Sequence, residues 1–222
     1  MTTVTQSIEQ RHSVRAFLDK PVDRQLIHDV LNQARFAPSG VNMQPWQVAV
    51  VTGKTKQTLS EAMIEAFQQG QTEGMEYHYY PQEWKSVYKQ RRVETGKLLY
   101  GALNITKEDK DARLAQWRAN YAAFGAPAML FFFIDDSLET GSYLDYGMFL
   151  ENIMLLAIEK GLATCPQGAL GEFPNLVKQT LGYDDALKLV GGMAIGYEDL
   201  DHPVNQYRTP REPVEAFTRF FD

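Results

Sequence analysis

A single cysteine in 222 residues excludes an internal disulfide and suits a reducing compartment. No apolar run approaches the length of a membrane span. The first ten residues, MTTVTQSIEQ, lack the basic and apolar regions of an export signal, so a cytoplasmic protein without a membrane partner is expected. Blocks of lysine and arginine are missing and the net charge is -6, which argues against nucleic acid as a partner. Three catalytic signatures are absent: the phosphate-binding GxxxxGK[ST], the nucleophile turn GxSxG and the zinc motif HExxH. His12, His28, His78 and His202 show no metal-ligand spacing, and no metal site is expected. Cys165 stands beside Pro166 in apolar surroundings, which raise a thiol pKa, so it reads as a packing residue rather than a nucleophile.

What the chain does contain is apolar bulk, 44% hydrophobic and 12% aromatic, enough for one large domain over residues 1–222. The stretch from Tyr143 to Gly171 organises it. Its helical part carries Leu144, Met148, Phe149, Leu150, Ile153, Met154, Leu155, Leu156, Ala157 and Ile158, too many for one face, so burial nearly all round is expected, part of it against a second copy. Gly161 supplies a left-handed stop, and Cys165-Pro166-Gln167-Gly168 reads as a stiff turn whose amides can face a ligand.

Ahead of that stretch, Val4 to Gln10 reads as a short helix and Arg11 to Phe17 as an extended segment with Arg11, Ser13 and Arg15 on one side. At ~3.3 Å per residue the two arginines lie on the order of 13 Å apart, suited to the two ends of an elongated anion. Asp23 starts a helix that ends at Ala37-Pro38-Ser39-Gly40. The loop Val41 to Trp46 leads into a buried strand, Gln47 to Val51, and Ser39, Gly40 and Asn42 offer a hydroxyl, a bare backbone and an amide. Thr58 to Gln69 is helical. Residues 71–123 are polar, aromatic and mostly helical in pattern, an excursion with the character of a lid around Tyr77 to Trp84.

Ala128 to Ile134, AMLFFFI, reads as a second strand covered on both faces, and Leu187 to Ile195 as a third. Gly191, Gly192 and Gly196 lie in and after that last strand with no βαβ unit following, so they signal close backbone packing rather than a dinucleotide site. Residues 199–222 contain three prolines up to Pro213 and end in Phe217, Phe220 and Phe221, an extended arm suited to wrapping a partner subunit.

Anion-binding capacity without a nucleophile, in Arg11, Ser13 and Arg15 early and Arg208 and Arg211 late, suits a bound cofactor that does the chemistry. The chain resembles the FMN-dependent nitroreductases. The resemblance rests on Arg11-His12-Ser13-Val14-Arg15, on Ala37-Pro38-Ser39-Gly40-Val41-Asn42-Met43-Gln44-Pro45-Trp46, on the helix and turn from Tyr143 to Gln167, and on Arg208 to Pro213, all in order.

It implies an α+β, three-layer fold with a mixed central sheet between helices, in an intertwined homodimer with a swapped C-terminal arm. It also implies FMN as cofactor and NAD(P)H as electron donor. Arg11 and Ser13, with Arg208 and Arg211, would hold the FMN phosphate, Arg15 the pyrimidine edge, and His12 would contribute its backbone. Pro38, Ser39, Gly40 and Asn42 would approach from the other subunit, and Pro166, Gln167 and Gly168 would run along the ring. The implied activity is ping-pong, two-electron reduction of a small aromatic oxidant, a nitroaromatic or a quinone. The alternatives are a reductive dehalogenase-like enzyme, a non-catalytic flavin-binding protein, or an anion-binding dimer without flavin. NADH and NADPH are not distinguished, since no ribose-reading motif occurs.

Overall fold

The computed structural model describes residues 2–221. Seven α-helices and four strands follow in order: α1 (Val4–Gln10), α2 (Arg24–Ala34), β1 (Gln47–Thr52), α3 (Gly53–Gln68), α4 (Ser86–Ala102), α5 (Lys110–Arg118), β2 (Ala128–Asp135), α6 (Thr140–Glu159), β3 (Ala163–Gln167), α7 (Pro174–Leu181) and β4 (Leu187–Gly196). The sheet has the order β1-β2-β4-β3, and all three pairings are antiparallel. Its parallel component is one isolated bridge, Ser13 with Thr164, which lays the N-terminal extended segment beside β3.

β2 explains the layering. Its side chains alternate faces as any strand's must, so Met129, Phe131 and Phe133 enter one core with Leu59, Met63 and Val177 of α3 and α7. Leu130, Phe132 and Ile134 enter the other with Ile27, Val30, Phe149 and Ile153 of α2 and α6. Two helical layers therefore sandwich one sheet, and the unbroken apolar run of β2 reflects cover on both sides. Burying each of these large side chains contributes about 1.5–3 kcal/mol.

The glycines of β4 mark close approach. A Cβ on Gly192 would stand 2.6 Å from Leu170 Cδ1 and 2.9 Å from the Leu130 carbonyl oxygen, and one on Gly196 would stand 2.6 Å from Pro127 Cδ. Between Phe132 and Phe133 the β2–β4 register slips, leaving Val190 unpaired in a bulge. Tyr77 reaches across to donate to the Val190 carbonyl at 2.7 Å.

Several expectations need correcting. Cys165, Pro166 and Gln167 lie in β3 rather than in a turn, because the strand pairs along β4 from Gly196 to Gly192, and of the expected Cys165–Gly168 turn only Gly168 stands in one. β1 is half exposed, with Val50 open, since it is the sheet's edge and only one neighbour covers it. Among the described residues the strand count is four, not three. Within one chain α6 is open along one side, where Leu144 is 71% exposed. Among the described residues no helix is long and apolar enough to cross a membrane, and no group of His, Cys, Asp or Glu is placed to hold a metal ion.

Candidate functional site

The extended segment after α1 is held on both sides. Val14 N–H donates to the Thr164 carbonyl at 3.0 Å, and on the other side Phe17 bridges Glu198 while Leu18 N–H donates to the Tyr197 carbonyl. This buries Val14 and Ala16 and turns Arg11, Ser13 and Arg15 the other way, as their alternation requires. The chain then returns after β4, and Asn205 stitches it down. Asn205 Oδ1 accepts from Arg15 N–H, and Nδ2 donates to the carbonyls of Ala16 and Asp199, each at 2.9 Å.

The result is a cavity of about 550 Å³ lined by both ends of the molecule: Arg11, Ser13 and Arg15 from the first segment, Tyr207, Arg208 and Arg211 from the last. Arg208 Nη1 donates to the carbonyls of Asn205 and Tyr207, and Arg211 Nη1 to Thr209, so their forks are oriented but bound only to neutral groups. Arg11 has one carboxylate near it, Glu151, at 4.0 Å. Guanidiniums so placed suit a phosphate dianion, which accepts charge-assisted, bidentate bonds. His12 lines the cavity, but its Nδ1 lies 3.0 Å from the Gln10 carbonyl and its Nε2 2.9 Å from Glu198 Oε1, so its ring is engaged elsewhere.

Arg15 also lines a second cavity, of about 560 Å³, walled by Cys165, Pro166, Gln167 and Gly168. Its Nη1 donates to the Tyr207 hydroxyl at 3.0 Å, which fixes the guanidinium where the two cavities meet. The far wall is aromatic: Tyr79, Tyr80, Tyr100 and Trp117 all come from residues 71–123. Gln167 donates Nε2 to the Asn120 carbonyl at 2.9 Å, yet its Oε1 is buried without a partner. An orphaned acceptor of this kind is costly unless a ligand donates to it. Burial pushes the Cys165 thiol up to about 11, against an ordinary 9.0, so it stays protonated and inert.

The two cavities share one guanidinium, one end cationic and the other rich in aromatic rings and carrying an unmet acceptor. FMN has that shape and charge, an anionic phosphate tail and a planar ring rich in hydrogen-bonding edges, and these residues fit it. Arg11, Ser13, Arg208 and Arg211 would hold the phosphate, and Arg15, Pro166, Gln167 and Gly168 would hold the ring.

Of the residues singled out in the sequence, these and His12 are brought together. Pro38, Ser39, Gly40 and Asn42 are not, and in one chain they line neither cavity. Their loop lies against α6, where Gly40 N–H donates to Asp145 Oδ2 at 3.1 Å and Gln44 N–H to Ser39 Oγ at 3.0 Å. Val41, Asn42 and Gln44 all have positive φ there, and Val41 is 95% exposed. Tyr207, Asn120, Trp117 and Glu172 were missed. Only the aromatic density of residues 71–123 hinted at the wall to which Trp117 belongs.

The sequence profile described as the Nitroreductase family matches residues 8–197. A 4-nitrobenzoate reductase of Pseudomonas putida is 40% identical, over 96% of this chain and 93% of its own. A chloronitrobenzene nitroreductase of Comamonas testosteroni is 35% identical, over 96% and 94%. Among solved structures, the FMN and NADPH-dependent nitroreductase NfnB from sphigopyxis sp. strain HMH superposes with a TM-score of 0.96 at 37% identity, covering 99% of each chain. The FMN-dependent NfnB from Mycobacterium smegmatis, solved in complex with NADPH, gives 0.93 at 30% identity, over 99% and 100%.

Proposed function

This chain belongs to the nitroreductase family, and on that premise we propose that it is an FMN-dependent oxidoreductase that uses NAD(P)H to reduce nitroaromatic compounds. The observation that carries the reading is the pair of cavities joined at Arg15. FMN, when bound, supplies two-electron exchange between a nicotinamide and an aromatic oxidant, and the side chains bind, orient and tune.

Arg11, Arg208 and Arg211 would neutralise the phosphate, and Ser13 would donate its hydroxyl to it. The Arg15 guanidinium would favour whichever cofactor state carries more negative charge, the reduced one. A differential of about 2 kcal/mol there would raise the two-electron potential by roughly 40 mV. The aromatic wall of Tyr79, Tyr80, Tyr100 and Trp117 offers stacking surface to the nicotinamide and then to the nitroaromatic, which use the same cavity in turn, so the kinetics are ping-pong.

A homodimer belongs to this reading. Leu144 and Met148 of α6, Val41 in the Ser39–Asn42 loop, and Phe217, Phe220 and Phe221 in the tail are exposed apolar groups that a second copy would cover. The second copy is also what would bring Pro38, Ser39, Gly40 and Asn42 to a flavin. Its use of NAD(P)H suits the cytoplasm. Nitroaromatics are preferred over quinones or halogenated aromatics because the two relatives described above are named for nitro compounds.

The test is to reconstitute the protein with FMN and mix it anaerobically with NADPH, then with a nitrobenzoate, a quinone or a halogenated tyrosine. Bleaching followed by recovery with the nitrobenzoate is expected. Yellow colour that persists in NADPH would make the protein a flavin carrier instead, and failure to take up FMN at all would dismiss the reading.

A further inference from the structure

Glu172 lines two cavities. One is the aromatic-walled cavity described above, and the other, about 270 Å³, is lined also by Phe67, Gly70, Gln71, Thr72, Tyr121 and Phe173. Gly70 and Gln71 are exposed, so the outer cavity meets solvent. The carboxyl is held at one oxygen only. Tyr121 donates its hydroxyl to Glu172 Oε2 at 2.5 Å, and Trp117 Nε1 donates to that hydroxyl oxygen at 3.3 Å. Among the described residues nothing bonds to Oε1. The rings of Phe67 and Phe173 pack on Tyr121, at 5.1 and 5.4 Å between centroids, and keep its surroundings apolar. Burial accordingly raises the Glu172 carboxyl above the usual glutamate range, with the Tyr121 bond opposing the shift.

We propose that Glu172 is the proton donor to the substrate in the inner cavity and is recharged from water through the outer one. The proposal rests on the nitroreductase reading. Converting a nitro group to a nitroso group takes two electrons and two protons. The reduced nicotinamide supplies both electrons and one proton and is oxidised. The second proton leaves Glu172 Oε1 for a nitro oxygen. One N–O bond breaks, two O–H bonds form, water departs, and Glu172 remains as carboxylate until solvent returns its proton.

The inner cavity's other ionisable groups are Arg15, His78, Tyr79, Tyr80, Tyr100 and Cys165. Burial raises Tyr79 and Cys165, so they part with protons less readily than usual, and arginine does not part with its proton at all. His78 is the rival donor, and it is exposed. A half-buried carboxyl with one oxygen anchored and the other free, lining both the substrate cavity and a second cavity that meets solvent, is the better placed.

The experiment compares wild type with Glu172→Gln, Glu172→Asp and His78→Gln, using NADPH with nitrobenzene and, separately, ferricyanide, which accepts electrons without protons. In Glu172→Gln the ratio of nitrobenzene to ferricyanide turnover should fall roughly 100-fold, and Glu172→Asp should recover part of it. In FMN-free protein, infrared titration should show a protonated carboxyl band that outlasts the ordinary glutamate range and is missing from Glu172→Gln. Equal losses on both acceptors, equal defects in the Asp and Gln variants, absence of that band, or a ratio that falls only in His78→Gln would each overturn the assignment. Wild type that takes electrons from NADPH but leaves nitrobenzene untouched would instead defeat the nitroreductase reading, and the donor with it.

Discussion

Asn205 holds the backbone of Arg15 from 190 residues away. Its side-chain oxygen accepts the Arg15 N–H at 2.9 Å, its amide donates to Ala16 and Asp199, and its own carbonyl accepts from Arg208 Nη1 at 2.7 Å. One buried residue thus sets both arginine-bearing segments of the anion cavity. Asn205→Ala would leave the Arg15 N–H unmet and take one of two donors from each of the Ala16 and Asp199 carbonyls, and should cost about 2–3 kcal/mol in urea unfolding, with weaker FMN retention. Asn205→Asp should be worse, since it faces two carbonyls with an acceptor.

Arg208 is the cleanest probe of the phosphate end, because its fork is oriented by two carbonyls and, among the described residues, by no carboxylate. Arg208→Ala should loosen FMN by about 1.5–3 kcal/mol, read by fluorescence titration of FMN-free protein. The loss should shrink at high salt, where charge attraction is screened. Unchanged retention would take Arg208 out of the site.

Arg15 should separate binding from reactivity. Arg15→Ala should lower the flavin midpoint potential by roughly 40 mV and slow reduction by NADPH, while most FMN affinity persists in the other arginines. Tyr207→Phe removes the hydroxyl that accepts from Arg15 Nη1 and should move the potential the same way by less. Potentiometric titration of the three proteins decides it.

The cationic end of the site was legible from the sequence because it is local: strict alternation places Arg11, Ser13 and Arg15 together, and no fold is needed to know it. The same holds for the two-sided burial of β2, which an unbroken AMLFFFI run requires, and for the glycines of β4, whose near contacts with Leu170 and Pro127 leave no room for a Cβ. What escaped depends on pairing at a distance. Cys165 to Gly168 looks like a turn because Pro166 and Gly168 flank Gln167, yet for the first three of these β4 supplies a ladder that outweighs that local preference. β1 looks buried because it is β-branched, but burial is decided by its place at the sheet's edge. The aromatic wall carries no motif, since its rings, scattered along residues 79–117, converge only through the packing of α4, α5 and the segment before them.

Cys165 gives a pH test with a definite sign. Burial raises its thiol from 9.0 to about 11, so the folded state favours the protonated form more than the unfolded chain does. The stabilisation is fully present below pH 9.0 and is lost as pH rises toward about 11. Cys165→Ala should therefore flatten the decline in thermal stability between these values. At neutral pH the native thiol should resist iodoacetamide and react only on unfolding. Rapid labelling of native protein at about pH 7 would contradict its enclosure.

The strap from Glu73 to Tyr77 is pinned at its base, which bears on how Tyr79 covers the cavity floor. Glu73 accepts from Asn175 N–H at 2.7 Å, and Glu76 accepts from Leu189 N–H at 2.7 Å while pairing with Lys178 at 2.9 Å. Lys178 is only 3% exposed on α7. Removing one partner strands the other's charge, so Lys178→Met should cost about 3 kcal/mol, and adding Glu76→Gln should restore part of that, since a neutral pair needs no counter-charge. Tyr79 sits over Gly168, its ring 3.7 Å from where a Cβ would be, only three residues beyond Glu76. Loosening the strap should therefore raise KM for the nitroaromatic several-fold more than it lowers kcat, because the strap positions the roof and touches no reacting atom. If kcat falls while KM holds, the pair acts on the chemistry by another route, and the strap's role as a positioning device is refuted.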